Sequence, residues 1–182
     1  DEVKKLVDDA RRLTEKHKTD LERLLDEARK VSEEHKKRLE ELLREIAEVA
    51  KEILKVLRKG EDRERLVKEI EKVVRDVKRK LDELLKTNHD VVRRVEDELR
   101  RLLKTNKEVV DTVRDELERR VDDREKVKRV EETLERLHKE VEEVVRRVKK
   151  ALRDLNDEVR RVVDEVRRRL EELLKRVEEE AR

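Results

Sequence analysis

The chain has 182 residues, 58% charged and 34% hydrophobic, with 54 basic against 52 acidic residues and no Pro, Cys, Met, Trp, Tyr or Phe. Without cysteine there is no disulfide or thiolate metal site, without aromatics or a basic stripe there is no footprint for nucleic acid, nothing apolar is long enough to span a membrane, and the charged start Asp1-Glu2 is unlike a targeting signal. A balanced charge and apolar residues recurring at helical spacing set the chain apart from disordered sequences and mark long helices.

The first helix is expected over about 2–59. It is followed by Lys59-Gly60-Glu61-Asp62, which holds the single glycine of the chain. Gly60 is placed to end the helix in a left-handed conformation, and Asp62 to cap the next one. The second helix is expected over about 62–121. It ends at Val121-Asp122-Asp123-Arg124-Glu125, where Asp122 with Glu125 three residues on resembles a capping box. The third is expected over about 123–181. Each would be roughly 85–90 Å long at 1.5 Å per residue. Loops this short force antiparallel neighbours. The expected fold is therefore all-α, a long, nearly straight antiparallel up-down-up three-helix bundle forming one domain over 1–182.

Each helix repeats every 18 residues. In the first, Val3, Leu21 and Leu39 align, as do Leu6, Leu24 and Leu42, then Ala10, Ala28 and Ile46, then Leu13, Val31 and Val49. In the second the sets are Val73, Val91 and Val109, then Val77, Val95 and Val113, then Leu81, Leu99 and Leu117. In the third they are Val127, Val145 and Val163, then Leu134, Leu152 and Leu170. Eighteen residues are five turns of an ideal helix, so the repeat keeps phase with a straight helix rather than a supercoiling heptad. The apolar positions fill an arc of about 120°, wide enough to face two neighbours. Glu, Lys and Arg fill the opposite faces, many in i, i+4 pairs.

Polar residues stand at core phase in a pattern. On the first helix His17, His35 and Ile53 are equivalent, as are Thr14, Ser32 and Ala50; on the second the set is Asn106, Asn88 and Ile70; on the third it is His138, Asn156 and Leu174. The first loop pairs positions whose numbers add to about 122 and the second pairs those adding to about 245. Three levels follow. Ile53, Ile70 and Leu174 form an apolar layer; His35, Asn88 and Asn156 form a polar layer; His17, Asn106 and His138 form a second polar layer. Thr14 and Ser32, one turn before His17 and His35, can complete the networks. Thr87, Thr105 and Thr133 lie at the edge of the arc and Thr112 further out, while His89 and Thr19 fall outside it.

This pattern, with idealised repeats and stacked His/Asn/Ser/Thr layers across the whole chain, resembles de novo designed helical bundles with buried hydrogen-bond networks. On His17, His35 and His138 with Asn88, Asn106 and Asn156 it further resembles designed pH-responsive bundles, some of which disrupt membranes on acidification. The departures are that only two polar layers are present, that one has a single His, and that the helices are long.

The reading favoured by the residues is a designed scaffold with no natural biochemical function, whose His17, Asn106, His138, Thr14, His35, Asn88, Asn156 and Ser32 specify register, because a slip would set a polar side chain against Leu. The alternative is a bundle destabilised by acid. Protonation of a buried imidazole removes its acceptor and introduces charge, while about a dozen apolar layers oppose full unfolding. Acid-opened helices would suit a membrane surface, although Trp and Phe are missing. Ser32, His35 and Asn156 contain the atoms of a nucleophile, a base and an orienter, but a packed interior offers no pocket, and no enzyme is expected. His17 and His138 lack a third good ligand, so no metal or other cofactor is expected. No partner is expected, the chain is read as a monomer, and nothing in it names a compartment.

Overall fold

The structure, a computed structural model, describes residues 2–60 and 62–182; Asp1, at the charged start, and Glu61, in the first break, lie outside the described residues. Three helices are described: α1 (Glu2–Arg58), α2 (Arg63–Arg120) and α3 (Arg124–Ala181). Their interiors hold no glycine or proline, and Leu, Glu, Lys, Arg and Ala are strong helix formers. What holds them in place is the single apolar stripe on each, which is stabilised only against other helices. The result is an all-α, antiparallel up-down-up three-helix bundle.

The helix ends are set by local chemistry. The amides of Lys59 and Gly60 donate to the carbonyls of Val56 and Leu57 at 3.1 and 3.0 Å, tightening the end of α1. Gly60 then takes φ +80°, with nothing within 4 Å of where a Cβ would stand. Asp62 follows with φ +39°, a left-handed conformation that Asp tolerates better than most residues. Its carbonyl accepts from the Leu66 amide at 3.0 Å and so opens α2. At the second break the cap is Asp123, not Asp122. Asp123 Oδ1 accepts from the amides of Glu125 and Lys126 at 3.2 and 3.4 Å, and its carbonyl accepts from Val127 at 3.1 Å. The Val121 amide still bonds Leu117 at 3.0 Å, and α3 opens at Arg124, one residue later than expected.

The described residues gather into two compact units. The first combines Asp1–Ala28 with Val92–Arg153. It holds a core of Ala10, Val110, Val113, Leu117 and Leu134, with Val3, Leu6, Val130 and Leu137 packed on it. The second combines Arg29–Val91 with Asp154–Arg182. Its core runs from Leu39 and Leu57 on α1 through Ile70, Val74 and Leu81 on α2 to Val159, Val163, Val166 and Leu170 on α3. Ile53 and Leu174 pack against this cluster, which includes Ile70.

Burial follows the 18-residue repeat. Leu21, Leu39 and Leu57, then Leu81, Leu99 and Leu117, then Leu134, Leu152 and Leu170 are all buried. At the edges of the arc the expectation fails. On α2 it is Val74, Val92 and Val110 that are buried, while Val73 is 54% exposed. Leu13 and Val49 are exposed at 37% and 45%. Adjacent residues lie about 100° apart on a helix, and a stripe of this width fully covers one of such a pair.

Candidate functional site: two asparagine-centred polar layers

Residues three apart share a helix face, so Thr14 and His17 point together from α1. In the first unit both converge on one atom. Thr14 Oγ1 donates to Asn106 Oδ1 at 3.3 Å, and His17 Nδ1 lies 2.9 Å from the same oxygen. The other end of that carboxamide reaches α3, with Asn106 Nδ2 3.1 Å from His138 Nδ1. His138 Nε2 in turn lies 3.1 Å from Glu142 Oε1, one turn along α3. Thr14, His17 and Asn106 are buried, with Asn106 at 0% exposure, and His138 is half-buried.

Glu142 orders the chain of bonds. A carboxylate only accepts, so Nε2 of His138 carries a proton, and in the neutral ring Nδ1 is then bare. That bare nitrogen accepts from Asn106 Nδ2, which turns Oδ1 toward α1. There it receives the Thr14 hydroxyl and the Nδ1–H of His17. His17 and His138 therefore hold opposite tautomers within one network.

The second unit repeats the geometry with a different ending. Ser32 Oγ donates to Asn88 Oδ1 at 3.1 Å and His35 Nδ1 donates to it at 3.0 Å. Asn88 Nδ2 donates to Asn156 Oδ1 at 3.1 Å. Ser32 and Asn88 are buried; His35 and Asn156 are half-buried. All eight residues singled out in the sequence thus fall into two sets of four, one in each unit. The bonded pairs of α1 and α2 have numbers adding to 120 or 123, and those of α2 and α3 add to 244.

Other threonines do something else. Thr87, Thr112, Thr133 and Thr19 donate to the carbonyls of Glu83, Glu108, Arg129 and Glu15, four residues earlier on their own helices. The neighbouring carbonyl competes for a hydroxyl that stands at the edge of the stripe or outside it. Thr105 and His89 are exposed.

Each layer has an ion pair beside it that sequence reasoning missed. Lys18 Nζ lies 2.7 Å from Glu140 and 3.0 Å from Glu15; Lys36 Nζ lies 2.7 Å from Glu158 and 3.1 Å from Glu33. The Glu140 hydrogen bond holds Lys18 above the ordinary lysine range, against the opposing effect of burial. Glu158 does the same to Lys36, and Lys36 holds the Glu158 carboxyl below its ordinary range. Both lysines follow the network histidine by one residue, a spacing visible in the repeat. Glu142 was also missed, although its i, i+4 distance from His138 was available. Elsewhere in the first unit, burial and then a hydrogen bond to Glu118 raise the Glu131 carboxyl above its usual range.

The arrangement offers little to chemistry. Ser32 gives its hydrogen to Asn88 rather than to a base. Among the described residues no three His, Cys, Asp or Glu side chains are grouped to hold a metal ion, and no helix is long and apolar enough to cross a membrane.

No protein-family model and no curated protein matches the chain. Among solved structures the chain is similar to a computationally designed three-helix bundle, with a TM-score of 0.68 and 21% sequence identity, covering 100% of this chain and 89% of that one. The likeness is one of fold, that of a three-helix bundle.

Proposed function

We propose that the chain is a designed structural scaffold, and that its two polar layers set the register of the three helices. One observation carries the reading: each central carboxamide, fully buried, is bonded by side chains from both other helices at once. Sliding one helix would leave these groups unpaired, at about 1–3 kcal/mol for each buried group. An apolar layer exacts no such penalty. The third repeat supplies the replacement set, Ala50, Ile53, Ile70 and Leu174.

The test transplants that set onto the second unit as S32A/H35I/N88I/N156L. The stability read from chemical denaturation should hold or rise, by up to about 4 kcal/mol, as when buried polar groups give way to packed apolar ones. Cysteine pairs placed one turn out of register across α1 and α2 should begin to cross-link. A fallen midpoint with the slipped pairs still silent would overturn the reading.

A response to acid is the second reading, and His138 favours it. Protonation at Nδ1 would set an N–H against the N–H of Asn106, so this contact cannot survive unchanged. Denaturation at pH 7.4 and pH 5 at fixed salt tests it: equal midpoints would dispose of it. Dye release from liposomes at pH 5 tests the membrane variant, to which an opened amphipathic helix carrying Lys and Arg is suited.

A further inference from the structure

The two ends of the first unit's network are not alike. On the α1 side, Asn106 Oδ1 receives two donors, Thr14 and His17. On the α3 side, His138 accepts at Nδ1 and faces Glu142 with Nε2. We infer that the Asn106 carboxamide is a two-position toggle that couples proton uptake by His138 on α3 to the tautomer of His17 on α1. The inference rests on the reading of the layer as a fully bonded network.

The physical ground is satisfaction of every polar atom. A carboxamide has an acceptor end and a donor end of nearly the same shape, so a half-turn exchanges them within the same cavity. When His138 takes a proton from solvent at Nδ1, the ring becomes a donor at both nitrogens. Nε2–H remains on Glu142 and now forms an ion pair. Nδ1–H needs an acceptor, and the group it meets is Asn106. The half-turn supplies Oδ1 to it. The two hydrogens of Nδ2 then face α1, one toward Thr14 Oγ1 and one toward His17 Nδ1. Thr14 accepts by rotating its hydroxyl hydrogen away. His17 accepts once its proton leaves Nδ1 and another is taken up at Nε2, which keeps the ring neutral. The net change is one proton gained by the layer, and both ends of the Asn106 carboxamide keep their partners. The alternative, a buried carboxamide facing a donor with a donor, leaves polar groups unpaired at 0% exposure, which is expensive.

The charged surroundings fit this account. On α3 the nearest titratable group is Glu142, and Glu140, two residues from His138, is held by Lys18 of α1 at 2.7 Å. From α1 the layer otherwise presents His17. From α2 it presents Asn106, whose neighbours Thr105 and Lys107 are exposed. Glu142 is thus the anion placed to stabilise a charged His138. The second unit has no such trigger, because Asn88 ends on the carboxamide of Asn156.

Nitrogen NMR of the imidazole rings in the intact protein, which distinguishes a protonated from a bare ring nitrogen, tests the toggle. Near neutral pH His17 and His35 should carry the proton on Nδ1 and His138 on Nε2. As the pH falls, His17 should change to the Nε2–H form with the same midpoint at which His138 takes its proton, while His35 keeps Nδ1–H through that range. In E142Q, which alters a half-exposed rim residue, both midpoints should move together to lower pH. The inference is overturned if His17 keeps Nδ1–H across the titration of His138. It is equally overturned if the two midpoints separate in E142Q, or if the chain unfolds before His138 is protonated. Failure of the toggle in a chain that holds its register would leave the scaffold reading intact; slipped cross-links in the unmodified chain would remove that reading instead.

Discussion

The two units solve one packing problem with nearly the same parts. Each buries an asparagine from α2, offers its oxygen to a hydroxyl and an imidazole from α1, and sends its nitrogen to α3. They differ at the far end. The first unit finishes on His138, which leans on the half-exposed carboxylate of Glu142; the second finishes on Asn156, which cannot titrate. The lesson is that the centre of a layer fixes geometry, while its rim decides whether the layer answers to solvent.

Variants can break this comparison, beginning with the centre. N106A should be the most damaging single change, lowering the stability read from chemical denaturation by about 4 kcal/mol, since Thr14 and His17 are buried and would both lose their acceptor. N88A should lower it by about 2–3 kcal/mol, because the half-buried His35 and Asn156 can turn to water. Equal losses would show that the rims contribute nothing. Next comes the far end. H138N gives the first unit the ending of the second; its stability at pH 7.4 should change by about 1 kcal/mol or less, and any difference between the midpoints at pH 7.4 and pH 5 should narrow.

The flanking ion pairs sharpen the comparison further. E158Q should lower stability by about 0.5 kcal/mol at pH 7, as expected of a largely solvated pair. The sign follows from the shifts. Glu158 is held below its ordinary range, so its contribution is present above that range and is lost as pH falls through its folded value. Lys36 is held above 10.5, so its contribution persists below that value and is lost as pH rises past its folded value. A difference between E158Q and the parent that stays constant into acid would contradict this. The smallest effect is expected at Glu131. Its carboxyl is raised, so in the folded chain it disfavours ionisation and the contribution is lost as pH rises. E131Q should raise the stability slightly near neutrality, by about a few tenths of a kcal/mol, and lose that gain in acid.

Much of this is legible in the amino-acid sequence alone. The 18-residue phase and two short breaks are enough to bring Asn88 and Asn106 to the levels where their partners stand, because helical geometry is regular and a loop of a few residues leaves little slack. What the phase cannot separate are neighbours at the edge of the stripe. Val73 and Val74 look alike in sequence, yet only Val74 is buried. The edge threonines resemble Thr14 in composition, but a carbonyl on their own helix is nearer than any partner across the bundle. Two adjacent aspartates make the second cap ambiguous by one residue. Glu142 escapes notice because a glutamate on a surface dense with glutamates carries no signal of its own; its role comes only from the histidine one turn before it. Nor does any shift in composition mark the borders at 28, 91 and 153 between the two units.

The turn at Gly60 has a consequence for chirality. Its φ of +80° is natural to a D-residue, and the space where an L side chain would stand is empty. L-alanine there would meet no clash but would carry backbone strain, whereas D-alanine would take this φ without strain. It would also restrict the unfolded chain, as replacing glycine does wherever the native conformation is allowed, by about 0.4–1 kcal/mol. The single achiral residue of the chain is thus a position where a mirror-image building block should make the fold firmer than its natural counterpart can.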